Sequence, residues 1–356
     1  MTRIPDPENP GEFLIECDEC GNQNCEGEPR CGYCGERLSM ARDGDGYRRY
    51  LDVNFRPQTL ALIQTADQII TDYEAQGYTL SLRQLYYQFV SRDLIPNNDK
   101  EYKKLGAAIA NARLAGLISW EAIEDRNRAP NMPYINEDHA SIAASLRHAF
   151  SVDMWQDQPR RVEVWVEKDA LSSVVGRACD RFSVPYLACK GYLSASEVYR
   201  AAMRAEAAFE ERDQPTLIIH LGDHDPSGID MTRDNEHRMN MLTDDAGIIT
   251  VKRIALNRDQ VDLYKPPPNP AKITDSRAED YIARHGRTSW ELDALEPKVI
   301  ERLIVDTIRP EIDPDPWEAA RERQKEGDGL WATFADNWPQ VEGFLKSLME
   351  GNDDES

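Results

Sequence analysis

Between residues 162 and 254 the chain alternates short runs of apolar and β-branched residues with longer amphipathic stretches. Strands are expected over 162–167, 185–189, 215–222 and 248–254, and helices over 169–182, 194–212 and 226–243. That order is the mark of βαβ units, so a sheet of parallel strands covered by helices is the architecture most open to this chain. Two of the strands end in carboxylates, in VEVWVEKDAL at 162–171 and LIIHLGDHDPSG at 217–228. Open α/β sheets bind ligands where strands end, so Glu167, Asp223 and Asp225 are expected to meet in one crevice as an all-oxygen cage for a hard divalent cation. Such a cage suits phosphodiester chemistry. Pro226 and Gly228 follow at once, as suits a tight turn into a helix. By pattern alone, Asp-x-Asp after a strand also reads as a helix cap or a solvated loop charge.

An apolar strand closing in Glu-Lys, then CKGYLSASEVYRA at 189–201, then a strand closing in Gly-Asp-x-Asp-Pro-x-Gly together resemble the Toprim domain of the topoisomerase VI A subunit and of its relative, the meiotic double-strand-break protein. The resemblance implies that Glu167, Asp223 and Asp225 are metal ligands, and Lys168 also matches the family's pattern. Upstream, SLRQLYYQFVSRDLI at 81–95 resembles the helix of the family's winged-helix domain that carries the nucleophile. Its pattern is an Arg, two residues, then a Tyr pair, here Arg83, Tyr86 and Tyr87. The resemblance gives the nucleophile's role to Tyr87. SWELDALEP at 289–297 is similar to a family segment after the Toprim core, where Glu291 and Asp293 would support the ligands or cap a helix.

A phenol with a pKa of about 10 is a poor nucleophile at neutral pH until it is activated. Arg83, four residues before Tyr87 and on the same helical face, would stabilise phenolate and transition-state charge, and a metal would act from the phosphate side. Attack would leave a phosphotyrosine link that keeps the energy of the broken bond. Read without the resemblance, Leu82, Leu85, Tyr86 and Phe89 recur at helical spacing and suit core packing. Both motifs occur in the family's order in one chain, which favours the catalytic reading.

Five of the seven cysteines lie in residues 17–34. Cys17-x-x-Cys20 and Cys31-x-x-Cys34, ten residues apart, match the tetrahedral thiolate set of a structural zinc ribbon. The odd number of cysteines and the absence of a secretory signal weigh against a disulfide framework. Cys25 either replaces Cys20 or stays free, and Cys179 and Cys189 read as buried small hydrophobes.

The fold class expected is therefore an α/β Toprim (Rossmann-like) domain with an N-terminal winged-helix domain and a small zinc ribbon. The boundaries are 1–40 for the ribbon, 41–155 for the winged helix and 156–356 for Toprim with a C-terminal helical extension. Within the second, 57–76 reads as a helix stopped by Gly77, with Thr79 and Ser81 placed to cap the nucleophile helix. Residues 116–133 resemble a wing, and a further helix lies near 137–150. Helices are expected near 296–309 and 328–349, whereas KPPPNPAKITD at 265–275 is too proline-rich for a regular element.

A net charge of −22 argues against a simple nucleic-acid binder, whose footprint is usually basic. The acidity is uneven: residues 1–46 carry 4 Lys and Arg against 11 Asp and Glu, whereas residues 47–130 carry 11 against 10. In the latter, Lys100, Lys103, Lys104 and Arg113 mark a basic helix that either contacts DNA phosphates or is a solvated face. The six histidines are scattered and form no site, and His224, between the two aspartates, either contacts a phosphate or, as is favoured, is incidental. No apolar run is long enough to span a membrane, and a cytoplasmic location is expected.

The function expected is Mg²⁺- or Mn²⁺-dependent cleavage of double-stranded DNA by tyrosine transesterification. The family resemblance, nearest to the short Topo mini-A class, covers roughly residues 58–300 and implies a homodimer. The chain has no ATPase motif, so an ATPase would be a separate subunit. Two alternatives stand beside this: a Toprim nuclease that uses a metal-activated water, and a DNA-binding adaptor with a degenerate site.

Overall fold

The computed structural model describes residues 3–5, 13–16, 23–25, 47, 49–124, 138–243, 247–270 and 277–353. Near the N-terminus, β1 (Arg3–Pro5), β2 (Phe13–Glu16) and β3 (Gln23–Cys25) form an antiparallel meander, with Ile4 opposite Leu14 and Ile15 opposite Asn24. Cys17, Cys20, Cys31 and Cys34, the expected zinc ligands, lie outside the described residues.

Contacts divide the chain into two units, Met1–Tyr86 with Ile95–Glu124, and Tyr87–Leu94 with Asp125–Ser356. This division cuts inside a helix and assigns residues 138–155 to the second unit, because helix α4 (His139–Ala149) packs on α11 (Pro314–Asp336) of the C-terminal region.

In the first unit, α1 (Pro57–Glu74) starts on a proline and buries Ile63, Ala66, Ile69, Ile70 and Tyr73 at helical spacing. That seam meets Leu105, Ala108, Ile109 and Ala112 of α3 (Asp99–Leu114). Gly77, at φ +79°, turns the chain after α1. Helix α2 (Leu82–Ser91) begins with a capping box, in which the Ser81 N–H donates to Gln84 Oε1 at 2.8 Å and the Gln84 N–H to Ser81 Oγ at 3.3 Å. The expected cap at Ser81 is thus in place. Two short strands, β4 (Leu80–Ser81) and β5 (Ile123–Glu124), pair in parallel. The remainder of the expected wing, 125–133, lies outside the described residues.

The second unit is built on a sheet of four parallel strands, β6 (Arg161–Val166), β7 (Tyr186–Ala188), β8 (Thr216–Leu221) and β9 (Ile249–Ala255), in the order β7-β6-β8-β9. Every residue of β8 is buried, as suits a central parallel strand whose Leu217, Ile218, Ile219 and Leu221 are apolar. The helices between the strands are α5 (Ser172–Asp180), α6 (Ala195–Arg212) and α7 (Pro226–Leu242). Helix α6 presents Val198, Ala201, Ala202 and Ala205 to a core with Trp165, Ile218 and Val251, its alanines permitting close approach. Full burial of an aliphatic side chain such as Ile218 contributes about 1.5–3 kcal/mol. This is an α/β, Rossmann-like arrangement. The chain leaves β6 to one side for β7 and returns to the other side for β8, so strand order reverses between β6 and β8, where such sheets open a crevice.

Helices α8 (Arg258–Tyr264), α9 (Ala278–His285) and α10 (Pro297–Ile308) follow, with α10 packed on α5. The proline-rich segment departs from expectation: Asn269–Pro270 forms a short strand, β10, antiparallel to β11 (Thr288–Ser289). A two-residue edge pairing tolerates proline's missing donor. The C-terminal region also differs, because α11 ends at Asp336 and α12 (Trp338–Asp353) starts anew with Pro339 in its first turn, where a proline fits. Among the described residues no helix is long and apolar enough to cross a membrane.

Candidate functional site

The in-register pairing of Val166 with Leu221 brings the C-terminal ends of β6 and β8 side by side. Glu167 follows one strand and the loop 222–225 the other, so the register itself draws the acids together. The Asp223 N–H donates to Glu167 Oε2 at 2.8 Å. Gly222 makes room for this approach: a Cβ there would stand 3.0 Å from Glu167 Oε2 and 3.1 Å from Arg253 Nη1. Asp225 caps α7, with Oδ1 accepting from the Gly228 N–H at 2.6 Å and from Ser227 Oγ at 2.9 Å. All three carboxylates are buried. The cap reading of Asp-x-Asp thus holds for one oxygen of Asp225.

Lys168 places its ammonium among acids from two segments, 2.9 Å from Asp223 Oδ2, 2.5 Å from Glu291 Oε2 and 3.0 Å from Asp293 Oδ1. Burial works against its charge, but Asp293, Asp223 and Glu291 more than offset this and hold Lys168 well above the usual range. Asp223 is nevertheless raised, first by burial and then by Glu167, Asp293 and Glu291, because three carboxylates share one ammonium. Burial and the Asp225 charge likewise raise Glu167, against the Asp223 N–H.

Arg253, on β9, clamps the acid loop. Its Nη2 donates to the carbonyls of Gly222 at 2.8 Å, Asp223 at 2.6 Å and Leu256 at 3.1 Å, and its Nη1 to the Gly228 carbonyl at 2.8 Å and Thr232 Oγ1 at 3.0 Å. Sequence reasoning missed this residue. The available signal was an arginine near the end of a strand, ITVKRIA, that is apolar apart from Thr250 and Lys252. His220, fully buried beneath the loop, contacts Thr232 Oγ1 through Nδ1 at 2.8 Å, and burial lowers its pKa to about 3. His224 contacts the Tyr281 hydroxyl at 2.8 Å and is enclosed by Tyr281, His285 and Trp290, a packing role consistent with the incidental reading.

Tyr86 and Tyr87 diverge. The Tyr86 hydroxyl donates to Asn97 Oδ1 at 2.9 Å and its ring packs edge-on to Tyr102, so it is a structural residue of the first unit. Tyr87 belongs to the second unit and is 2% exposed. Its hydroxyl accepts from Asn269 Nδ2 at 3.4 Å, and the same amide reaches Glu291 Oε1 at 3.4 Å. A path of polar contacts thus runs from Tyr87 through Asn269 and Glu291 to Lys168 and Asp223. Asn269 also escaped sequence reasoning, sitting in a segment read as irregular.

In the first unit, Arg83 lies one turn before Tyr87 on α2 and is half-buried. Lys100, Lys103 and Lys104 are exposed on α3, Lys104 pairing with Glu101 at 3.3 Å. Arg113 differs from them, because its Nη2 donates to the Ile123 carbonyl at 2.9 Å and its guanidinium lies over Trp120. It anchors local structure instead of projecting outward. Cys179 and Cys189 are free and buried, as expected.

Among the described residues no three His, Cys, Asp or Glu side chains are grouped so as to hold a metal ion. Lys168 and the Leu292 N–H, at 2.8 Å, engage Asp223. Glu167 Oε1 and Asp225 Oδ2 remain without a hydrogen-bond partner among the described residues. Two buried carboxylates with an open oxygen each fit Mg²⁺, which takes one or two protein carboxylates and keeps several waters. The expected three-carboxylate cage is not grouped among the described residues, its middle acid, Asp223, being engaged by Lys168. Comparison with family models, with curated proteins and with solved structures returned no match.

Proposed function

We propose that the chain is a divalent-metal-dependent DNA transesterase resembling the topoisomerase VI A subunit, with Toprim chemistry in the second unit, a winged-helix reading of the first and a zinc ribbon at the N-terminus. The observation that carries this reading is the Lys168–Asp223 ion pair beside Glu167 at the strand-order reversal, linked through Glu291 and Asn269 to Tyr87. Tyr87 Oη attacks phosphorus, its proton is lost to solvent, and the P–O bond to a deoxyribose oxygen breaks, that oxygen leaving with a proton. Asn269 donates to the phenol oxygen and favours its anionic form, while Arg83 adds positive charge one turn away. A bound divalent cation on Glu167 and Asp225 would polarise the phosphate. Lys168 keeps Asp223 in place and tempers the surplus of negative charge.

The burial of Tyr87 favours one second reading, a nuclease that attacks with water and leaves the tyrosine to packing. Incubating supercoiled plasmid with the protein and Mg²⁺ or Mn²⁺, then denaturing it, separates the two. Transesterification is expected to leave protein covalently on a DNA end, released only by protease, and Tyr87→Phe to abolish both adduct and cleavage. Cleavage that survives Tyr87→Phe without an adduct would establish the nuclease instead.

A further inference from the structure

Helix α12 is anchored through its first turns. Trp338 packs edge-on to Phe334 of α11 at 5.6 Å between ring centres, and Phe334 in turn packs on Trp331. Val341, one turn on, is half-buried. Beyond it the apolar side chains face solvent: Phe344 is 63% exposed, Leu345 45%, Leu348 51% and Met349 71%. At i, i+1, i+4 and i+5 these four are mutual neighbours on one side of the helix, so they form a contiguous apolar face and not the singly scattered leucines of an ordinary surface. Between Trp338 and Met349 the only charged residues are Glu342 and Lys346, which pair with each other at 2.9 Å. This stretch of helix is therefore neutral in a chain of net charge −22.

We propose that this face is a self-association surface, covered in solution by the same face of a second copy of the chain, with the two α12 helices antiparallel about a twofold axis. The four exposed residues are symmetric under reversal about the midpoint between Leu345 and Leu348. Antiparallel pairing therefore sets Leu345 against the partner's Leu348 and Phe344 against the partner's Met349, a sulfur–aromatic contact, so the patch is complementary to itself as a twofold interface requires. Charge selects the same occupant. Two copies carrying −22 each repel one another over most of their surface, and a helix face without net charge is where they can meet. A lipid surface fits poorly, because helices that lie on membranes are rich in Lys and Arg on their polar face, whereas Lys346 is the only basic residue of α12 and is paired with Glu342. The apolar face offers several hundred Å² per copy, below the roughly 800 Å² that each partner of a standard interface buries, so the dimer is weak and concentration-dependent, in the micromolar range. The association needs neither DNA nor a cation and stands independently of the function proposed above.

The test is sedimentation velocity of the full chain without DNA, from about 1 to about 100 µM, the range in which an interface of this size forms and dissociates. The mass of the wild type is expected to rise with concentration from that of one chain toward that of two. Leu345→Glu/Leu348→Glu, which places like charges opposite each other across the axis, should weaken association about tenfold or more. Leu263→Glu/Met241→Glu adds the same two charges at exposed apolar positions on α8 and α7 and should associate as the wild type does. Equal melting temperatures show that the variants fold. Should Leu345→Glu/Leu348→Glu fail to fold, Phe344→Ser/Met349→Ser, which removes the two most exposed of the four side chains, decides by the same measurement. A wild type that stays monomeric throughout, association retained by the α12 variant, or association lost equally in Leu263→Glu/Met241→Glu would overturn the proposal.

Discussion

An ammonium shared by three carboxylates is the electrostatic centre of this molecule. Lys168 draws Asp223, Glu291 and Asp293 into contact that their own repulsion would forbid, while Glu167 and Asp225 take no part in that cluster's ion pairs. His220 stands under the same loop and gives a prediction at the scale of one residue. Its folded pKa is lowered to about 3, whereas the unfolded side chain titrates near 6.5. Above about pH 6.5 the histidine is neutral in both states and has no effect on pH dependence. Below it the unfolded chain takes up a proton that the folded chain refuses, so stability falls with acidification. Denaturant titrations of wild type and His220→Gln should show the stability difference in favour of wild type shrinking by roughly 1.4 kcal/mol per pH unit below pH 6. A constant difference between pH 7.5 and 5 would refute a buried neutral His220.

At the scale of elements, the turn from β8 into α7 carries the site. Its backbone is held by the Asp225 cap on the Gly228 N–H and by three of the five hydrogen bonds of Arg253, to the carbonyls of Gly222, Asp223 and Gly228. A Cβ on Gly228 would lie 2.3 Å from the Asp223 carbonyl oxygen, so Gly228→Ala cannot be absorbed by a side-chain shift. It is expected to destabilise the second unit by about 1–3 kcal/mol and to displace Asp223, seen as a lower denaturation midpoint. A midpoint equal to wild type would mean the turn is looser than described. The sheet strands and their helices were legible in the sequence to within about three residues, the largest shift being the start of α5, because a buried parallel strand and an amphipathic helix have distinct apolar periods. The β10–β11 pair was not, since a two-residue strand in a proline-rich segment has no period to read. The break between α11 and α12 was hidden likewise, proline in a first turn being compatible with a helix on its C-terminal side.

For the whole molecule, the site should couple cation binding to folding. Glu167 and Asp223 are both raised by burial and by neighbouring acids, a cost that a bound cation relieves. Millimolar Mg²⁺ or Mn²⁺ is expected to raise the melting temperature, with about 2.7 kcal/mol gained at a hundred times the dissociation constant. Glu167→Gln/Asp225→Asn should remove that gain, and chelator should return wild type to its starting value. A gain that persists in the double variant would place the cation elsewhere. Net charge predicts none of this, because the relevant acids are a few buried groups.

The sequence by itself determined the alternation of strands and helices, the carboxylates at two strand ends and the tyrosine on a capped helix, since side-chain period, capping and turn chemistry act over a few residues. Only the tertiary structure decided what faces those groups. Lys168 meets acids 123 and 125 positions away, Asn269 reaches Tyr87 across 182, and Arg253 reaches back 30 to bind the Asp223 carbonyl. Such pairings depend on strand order and register, which no local pattern encodes. They turned a run of three acids into two open carboxylates and a third held by an ammonium.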